Sequence, residues 1–442
     1  MSKFPLSERK RLERAALVKN NILVGVDPAS RSHTAVIYIT DRTAHKTIFT
    51  IKNNRSGFEN FEKRLLSVQK QFPDMPIKIV IEASGEYWKP FQHYFEQRGM
   101  DTIFVPPLFV KRTRDLDDFT PRSNDPKDAV RIATLGYEGR YFYKQGQDQN
   151  FDNLRHLVRA WDTVTTELTR CRHRAQSLLV VYFPEYLSLF NSIIDVTSLA
   201  ILERWPFPCD LCQVTPEYIN ETLRRHVGNG HVDKAKTINL LALANESIGI
   251  PIGIEGAKIR LGCLIEQIRL YKKQLSELRP LISETLAPIS YSERIKSIYG
   301  IGAISTAQFL GYLGDLENFN KVNEVLDLAG LSLISTESGS FKSSRQISHR
   351  GRKRLRRVLF EMTFHHKRSA NATRLKYLNC RIRGKTERQA VIASIPNLVK
   401  TIFAVVKQNK DYVPLLPRDP VAVEIMEYER LMKKAPRKKR AA

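Results

Sequence analysis

The chain has 442 residues, 42% of them hydrophobic, which is enough material for several domains with buried cores. Its 71 Lys and Arg against 46 Asp and Glu give a formal charge of +25 and a pI near 9.8; this points to a polyanionic partner and is wrong for a small-metabolite enzyme. Five cysteines make no disulfide framework, no apolar run is long enough to span a membrane, and Met1 to Arg9 lacks the apolar core of a signal peptide, so the expected compartment is the cytoplasm.

A basic N-terminal arm over 1–20 carries Arg9, Lys10 and Arg11. The apolar run Ile22 to Val26 predicts a strand ending at Asp27, followed by a turn through Arg31 and strands near Thr34–Thr40 and Lys46–Ile51, an antiparallel meander. Ser56 with Glu59 reads as a capping box opening a helix whose Phe58, Phe61, Leu65 and Val68 recur at helical spacing. Pro76–Ala83 reads as a strand, Glu86–Arg98 as an amphipathic helix, and Thr102–Val105 as another strand. This βββαβαβ order predicts a mixed sheet covered by helices, an α/β domain over 21–145.

Asp27 and Glu82 then fall at carboxyl ends of strands, where open α/β sheets place their sites. Two acids meeting there repel each other unless a cation lies between them. Asp125 and Asp128 open the next apolar-periodic helix three residues apart; alone, this pair is an ordinary helix start, with Asp125 as cap. Four such acids together are the donor type that holds divalent metal against a phosphodiester.

The segments Gly25-Val26-Asp27-Pro28-Ala29, Ile81-Glu82-Ala83-Ser84-Gly85-Glu86-Tyr87-Trp88 and Asn124-Asp125-Pro126-Lys127-Asp128-Ala129 resemble the DEDD motif of a family of bacterial insertion-sequence transposases that includes a pilin-gene invertase. The resemblance implies a RuvC-like domain of RNase H-type fold in which Asp27, Glu82, Asp125 and Asp128 bind Mg²⁺. Ser123-Asn124 stand where the pattern has Lys-Thr, with Arg122 one place earlier; the acids themselves are intact.

Two long helices are expected within a helical, coiled-coil-like region over 150–290. One, from about Asn153 to Leu189, is read as exposed; the other runs from about Ala257 to Glu284 with Ile259, Leu264, Ile265, Ile268, Tyr271, Leu275 and Leu278 on one face and Pro280 near its end. Their stripes suit pairing with each other or with a second subunit. Between them, 201–253 reads as a helical insertion with loops at Trp205–Pro208 and Gly228–Gly230. There Cys209 and Cys212 form a CxxC with His226 and His231 downstream, a pattern that reads as loop or buried thiols rather than a zinc site.

In a C-terminal domain over 291–410, mostly helical, Tyr299-Gly300-Ile301-Gly302 leads into an apolar helix. It reads either as an interhelical turn or as a helix-hairpin-helix-like phosphate cradle using Gly300 and Gly302. Glu337-Ser338-Gly339-Ser340 follows, then Arg345, then His349, Arg350 and a basic helix with Arg352, Lys353, Arg354, Arg356 and Arg357. A serine beside glycine is ordinarily a turn residue. The block from Ser297 to about Phe364 nevertheless resembles the C-terminal domain of the same family, and this implies that Ser338 is the DNA-attacking nucleophile. Arg345, His349, Arg350, Lys353 and Arg354 would be nucleic-acid contacts. A basic tail over 411–442 ends the chain.

The resemblance implies a DNA transposase or site-specific recombinase, acting on donor and target DNA as a homo-oligomer, dimer or tetramer, in which domains of different subunits complete one site. It also points to a noncoding bridge RNA as guide, with the protein reading backbone and base pairing reading sequence. Two alternatives stay open on the residues alone: a Mg²⁺-dependent nuclease or junction resolvase in which Ser338 is structural, and a non-catalytic nucleic-acid-binding scaffold.

Overall fold

A computed structural model describes residues 6–39, 43–117, 125–143, 149–227, 233–334, 337–338, 341–342, 346–416 and 418–434. The chain divides into two compact units, 1–146 and 147–442.

Unit 1 runs α1 (Leu6–Val18), β1 (Ile22–Asp27), β2 (Ser32–Ile39), β3 (Thr43–Lys52), α2 (Arg55–Gln71), β4 (Ile77–Glu82), α3 (Trp88–Glu96), β5 (Asp101–Val105), α4 (Pro107–Asp117) and α5 (Asp125–Tyr137). The strands form one mixed sheet in the order β3-β2-β1-β4-β5. The meander β1-β2-β3 is antiparallel, whereas β4 lies parallel to both β1 and β5. The expected mixed sheet is thus present, with differences of one to three residues at several element ends, the largest at the start of β3.

Strand alternation sorts the core into two layers. Ile22, Val24 and Val26 of β1 and Ile77, Ile79 and Ile81 of β4 face α2 and α3, where they pack with Phe58, Phe61, Phe91 and Phe95. Burying an aromatic such as Phe91, fully enclosed here, contributes about 1.5–3 kcal/mol. Leu23 and Val80 point the other way and pack with Val110 of α4 and Ile132 and Leu135 of α5. By the same period of two, Asp27 and Glu82 belong to the α5 side.

The cap of α2 differs from expectation. Asn54, not Ser56, is the N-cap: its side chain accepts from Gly57 N at 2.9 Å, and Glu59 pairs with Arg55 rather than closing a box. Asn54 already has the extended backbone a cap requires, so the helix starts one residue before Ser56. Within the stretch read as an N-terminal arm, α1 packs back on the domain: Arg14 Nη1 donates to Tyr141 O at 2.8 Å, and Tyr141 Oη donates to Arg14 O at 3.0 Å.

Unit 2 is helical. It begins with α6 (Gln149–Tyr182), α7 (Tyr186–Leu189), α8 (Val196–Arg204), α9 (Pro208–Leu211), α10 (Pro216–Val227), α11 (Lys234–Asn245) and α12 (Ile254–Leu286). It continues through α13 (Ser292–Lys296), α14 (Ala303–Leu313), α15 (Val322–Ala329) and the two-residue strands β6 (Leu333–Ile334), β7 (Glu337–Ser338), β8 (Phe341–Lys342) and β9 (Gln346–Ile347). It ends with α16 (Lys353–His366), α17 (Ala372–Ile382), α18 (Glu387–Lys407) and α19 (Pro420–Lys434).

The two long helices α6 and α12 pair with each other, and each is anchored in two cores. One core takes Leu178 and Leu179 of α6 and Leu261 and Ile265 of α12, together with Phe183, Leu202, Phe207 and Leu223 of the intervening helices. The other takes Leu154 and Val158 of α6 and Ile282 and Leu286 of α12, with α14, α16 and α18. The helix expected to be exposed is therefore buried along one stripe at both ends. It stops at Tyr182 rather than Leu189, because Pro184 cannot donate to the ladder and disfavours a helical residue before it.

Ile259 is a further correction. The buried residues Ala257, Leu261, Leu264, Ile265 and Ile268 set the stripe, which leaves Ile259 on the far side at 72% exposure. Pro280 lies inside α12, which continues to Leu286. In the insertion, Cys209 and Cys212 are exposed free thiols at α9, while Gly228–Gly230 and His231 lie outside the described residues, as does the side chain of His226.

Within the stretch read as a basic tail, α19 packs on α17 through Ala422 and Ile425 and the Arg374–Glu429 ion pair. Among the described helices α18 is the one long and apolar enough to cross a membrane, and half of its apolar window is buried in the core of unit 2.

Candidate active site and nucleic-acid interface

Register brings the first two acids together. β1 and β4 pair in parallel up to Val26 opposite Ile81, so Asp27 and Glu82, each the next residue and the last of its strand, end side by side. Both lie on the face covered by α5. That helix can approach because position 25 has no side chain: a Cβ on Gly25 would lie 2.3 Å from Ala129 O and 2.7 Å from Ala133 Cβ. Gly25 thus sets how closely the helix carrying Asp128 meets the strand carrying Asp27.

Asp128 is 2% exposed and is held by two arginines. Arg114 of α4 grips both of its oxygens, Nε donating to Oδ1 at 2.8 Å and Nη2 to Oδ2, while Arg131 Nη1 donates to Oδ1 at 3.0 Å. Neither arginine was singled out in the sequence, where nothing pairs Arg114 with a residue fourteen positions on.

Burial pushes the Glu82 carboxyl above its ordinary range, Arg114 draws it back, and Asp128 adds to the push. The field of Asp128, Glu82 and Asp27 also stabilises the Arg114 guanidinium, behind the larger effect of its hydrogen bonds to Asp128. Three of the four predicted acids therefore act electrostatically on Arg114, and Asp128 is the one it bonds. Asp125 opens α5, and its side chain lies outside the described residues.

Carboxylates buried at strand ends are suitable donors for a hard divalent ion. As described, however, both oxygens of Asp128 are engaged by arginine, and among the described residues no three acidic, His or Cys side chains are gathered closely enough to hold a metal.

In unit 2, Gly300 has φ +81°, and a Cβ there would lie 2.9 Å from His365 C, so this glycine is required by its backbone conformation and by contact with the end of α16. His366, buried, fixes the same turn through its Nδ1 bond to Tyr299 O at 2.9 Å. Gly302 is the N-cap of α14 and faces open space; Ser305 Oγ accepts from its N at 3.0 Å.

Ser338 pairs with Phe341 in the antiparallel ladder of β7 and β8, the residue just before a two-residue connection. Its side chain lies outside the described residues, and so does all of Arg345.

The basic cluster divides by partner. Arg352 Nη1 donates to Tyr312 O at 2.6 Å and Leu313 O at 3.1 Å, satisfying the carbonyl end of α14. Arg356 donates to Ala329 O at 2.7 Å. Arg357 pairs with Asp162, a buried acid on α6 that also accepts from Gln308 at 2.6 Å and Tyr312 at 2.7 Å. Burial and the Asp162 bond push the Tyr312 hydroxyl up to about 12.

These three arginines hold the fold together. His349, Arg350, Lys353 and Arg354 are exposed, and Arg354 lies over the Tyr312 ring at 5.8 Å. A cavity of about 890 Å³ opens beside them, lined by His349, Lys353, Arg354, Arg388, Phe360 and Phe364 among others. The two phenylalanines, four apart on α16, had a readable signal in that spacing next to a run of arginines.

Comparison with known proteins accounts for both halves of this arrangement. A transposase model, DEDD_Tnp_IS110, matches residues 24–184, and a second, described as transposase IS116/IS110/IS902 family, matches residues 292–378. The chain belongs to the IS110/IS116 transposase family. Among its relatives, an uncharacterized 44.8 kDa protein of insertion element IS116 from Streptomyces clavuligerus is 22% identical over 90% of this chain and 98% of its own. The IS110 43.6 kDa protein of Streptomyces coelicolor is 23% identical over 72% and 79%. A pilin gene-inverting protein of Moraxella bovis is 21% identical over 88% and 97%. An IS110-type transposase of this kind is a DNA-recombining enzyme, its substrate is DNA, and the DEDD family suggests dependence on a divalent metal.

Proposed function

We propose that this transposase cuts and rejoins DNA through a covalent phosphoserine at Ser338, assisted by Mg²⁺ held by Asp27, Glu82, Asp125 and Asp128 in a RuvC-like, RNase H-type domain over 21–145. The observation that carries this reading is the side-by-side ending of β1 and β4 at Asp27 and Glu82, on the sheet face that α5 covers with the buried Asp128. When bound, the ion supplies positive charge to the scissile phosphate and to the oxygen that leaves.

In the chemical step a bond forms between Ser338 Oγ and phosphorus while a phosphorus–oxygen bond to one deoxyribose breaks. The serine proton passes to a basic group, and the leaving oxygen takes one up. Attack by another strand's hydroxyl on the phosphoserine ester reverses the step and rejoins DNA. His349, Arg350, Lys353 and Arg354, with Arg345, Gly300 and Gly302, contact phosphates, while Phe360, Phe364 and Arg388 form the wall against which an unpaired stretch of strand is held.

The helical region over 150–290, with its 201–253 insertion, and the serine domain over 291–410 act within a homo-oligomer, dimer or tetramer, in the cytoplasm, with a bridge RNA as guide. The charge of +25 supports RNA and DNA equally.

The metal half of the proposal is tested by strand cleavage of the element's flanking DNA with Mg²⁺ and with chelator. Replacing Asp27 with Asn or Glu82 with Gln lowers cleavage by roughly 10²–10³, the usual loss of an electrostatic stabiliser. Cleavage indifferent to both substitutions and to chelator removes the metal from the account.

A further inference from the structure

We infer that unit 1 holds a nucleic-acid site of its own, additional to the basic face of unit 2: a cleft between α1, the start of α4 and the segment 139–142 that takes an unpaired strand, with phosphates on Arg11, Arg14 and Arg140 and a base against Phe142. It depends on neither Ser338 nor a metal.

Three observations carry it. First, the cleft has a fixed wall. Its volume is about 590 Å³, in the usual range of ligand sites. Gly139 has φ +74°, and a Cβ there would lie 2.2 Å from Arg11 O and 2.7 Å from Ala15 N, so α1 is seated closely against this turn. Arg14 and Tyr141 bond each other's carbonyl oxygens and lock the helix in place. Arg11 and Arg14, three apart on one helix face, line the cleft with Arg140. The family match begins at residue 24, so the wall made by α1 lies outside the matched region.

Second, the lining suits both parts of a nucleotide. Three arginines stand against one lining carboxylate, Glu8, while Glu138 sits beside Arg140. The Arg11–Glu8 contact is 3.7 Å long and the Arg140–Glu138 pair 2.9 Å, and all four side chains are partly exposed, so a phosphate displaces these carboxylates at little cost. Arg14 donates Nη1 to Tyr141 O, and a guanidinium has further donors to offer. Phe142 is 39% exposed although its backbone is pinned to the edge strand β5 by two 2.9 Å bonds with Phe104, and its ring packs on the Phe104 ring at 5.9 Å. A ring held rigidly and partly open to solvent is a stacking platform for a base. The substrate of this family is DNA, and that selects a nucleic-acid strand over an acidic peptide as the occupant.

Third, the cleft lies at the carboxyl edge of the sheet. Glu82 pairs with Val105 of β5, and Pro106, the next residue, lines the cleft. A strand that runs past the ends of β1 and β4 meets the cleft one β-strand further on.

The test is photocrosslinking of the full chain, in chelator, to short oligothymidylate DNA and oligouridylate RNA carrying 5-iodopyrimidines, with the labelled residues mapped by mass spectrometry. The basic face of unit 2 also binds DNA, so total affinity does not report on the cleft, whereas the position of the label does. Phe142 is labelled by DNA, by RNA or by both, and the arm that labels it names the strand. In the Arg11→Gln, Arg140→Gln double variant, half-saturation of that label moves to about tenfold higher oligonucleotide concentration, from the loss of two charge-assisted contacts. The melting temperature stays at the wild-type value, because both arginines sit in solvent-accessible ion pairs. Arg11→Gln alone, with a smaller shift, serves should the double variant fail to fold.

Labels confined to unit 2, equal labelling of Phe142 by a fully paired duplex, or half-saturation unmoved in the arginine variants overturns the site. Polyglutamate that displaces the label as well as unlabelled oligonucleotide does makes the cleft a general anion site and overturns the contact with a base.

Discussion

Substituting Gly25 by Ala places one methyl group where α5 meets β1. The added Cβ would stand 2.3 Å from Ala129 O and 2.7 Å from both the nitrogen and the Cβ of Ala133, contacts that real Cβ atoms do not make. The opposing atoms are largely backbone, so no side chain can rotate away and α5 must retreat by about 1 Å to restore ordinary contact. Overpacking of this kind costs about 1–3 kcal/mol, and the rigid partner puts this site at the upper end. For a unit of this size that is a fall in melting temperature of about 4–12 °C.

The retreat also carries Asp128 away from Asp27 and Glu82. Misplacement by about 1 Å costs on the order of 100-fold in rate. Differential scanning calorimetry and DNA strand cleavage measure the two effects, with DNA affinity, assigned to unit 2, as the control that should stay near wild type. A Gly25→Ala protein that melts at the wild-type temperature and cleaves at the wild-type rate would refute the argument that this glycine sets the approach of α5.

Replacing Arg350 or Lys353 by Ala should reduce the slope of log affinity against log salt by about one each in a DNA-binding assay and leave the melting temperature unchanged. Arg352→Ala should do the reverse, because its guanidinium satisfies carbonyls of α14. Asp162→Ala strips Arg357, Gln308 and Tyr312 of a shared buried acceptor; thermal denaturation should show a loss of about 2–4 kcal/mol, discounted because Arg357 is half-exposed.

Burial lowers the pKa of His366 from its ordinary 6.5, and its Nε2 has no hydrogen-bond partner. Its folded pKa is below its unfolded one, so the stability it contributes is present above pH 6.5 and is lost as pH falls below that value. His366→Gln should melt with a shallower dependence on pH between about 6.5 and 5 than wild type; identical slopes would exclude this histidine as a source of acid sensitivity.

How much of this could be read from the residues depends on the range of the interaction. The strands ending at Asp27 and Glu82 were legible because each is a short apolar run closed by an acid, and the period of two then fixes the shared face. α2 was legible from Phe58, Phe61, Leu65 and Val68, although its cap was misplaced because Asn54 and Ser56 are both good cap residues and only the backbone angles choose between them.

Ile259 was assigned to the buried stripe of α12 because an apolar residue near others at helical spacing looks inward; the partner helix decides otherwise. Arg114 and Asp162 left no local mark, and Arg131 left only its spacing three residues from Asp128 on α5. The roles of Arg114 and Asp162 lie in pairings across elements, and a run such as Arg350 to Arg357 cannot reveal that Arg352, Arg356 and Arg357 are spent on the fold, that Arg354 leans on Tyr312, and that Arg350 and Lys353 remain open.

The central claim is that Ser338 becomes covalently bonded to DNA with the help of the acidic cleft. The most direct measurement incubates the full chain with end-labelled flanking DNA of its element, Mg²⁺ and RNA transcribed from the element's noncoding ends, then resolves the mixture on a denaturing gel and maps the modified peptide by mass spectrometry. The account predicts a protein–DNA adduct on Ser338 that disappears in Ser338→Ala and in Asp27→Asn. Nicked DNA that persists in Ser338→Ala with no adduct would contradict it and leave a metal-dependent nuclease; binding without strand chemistry under every RNA condition would leave a scaffold.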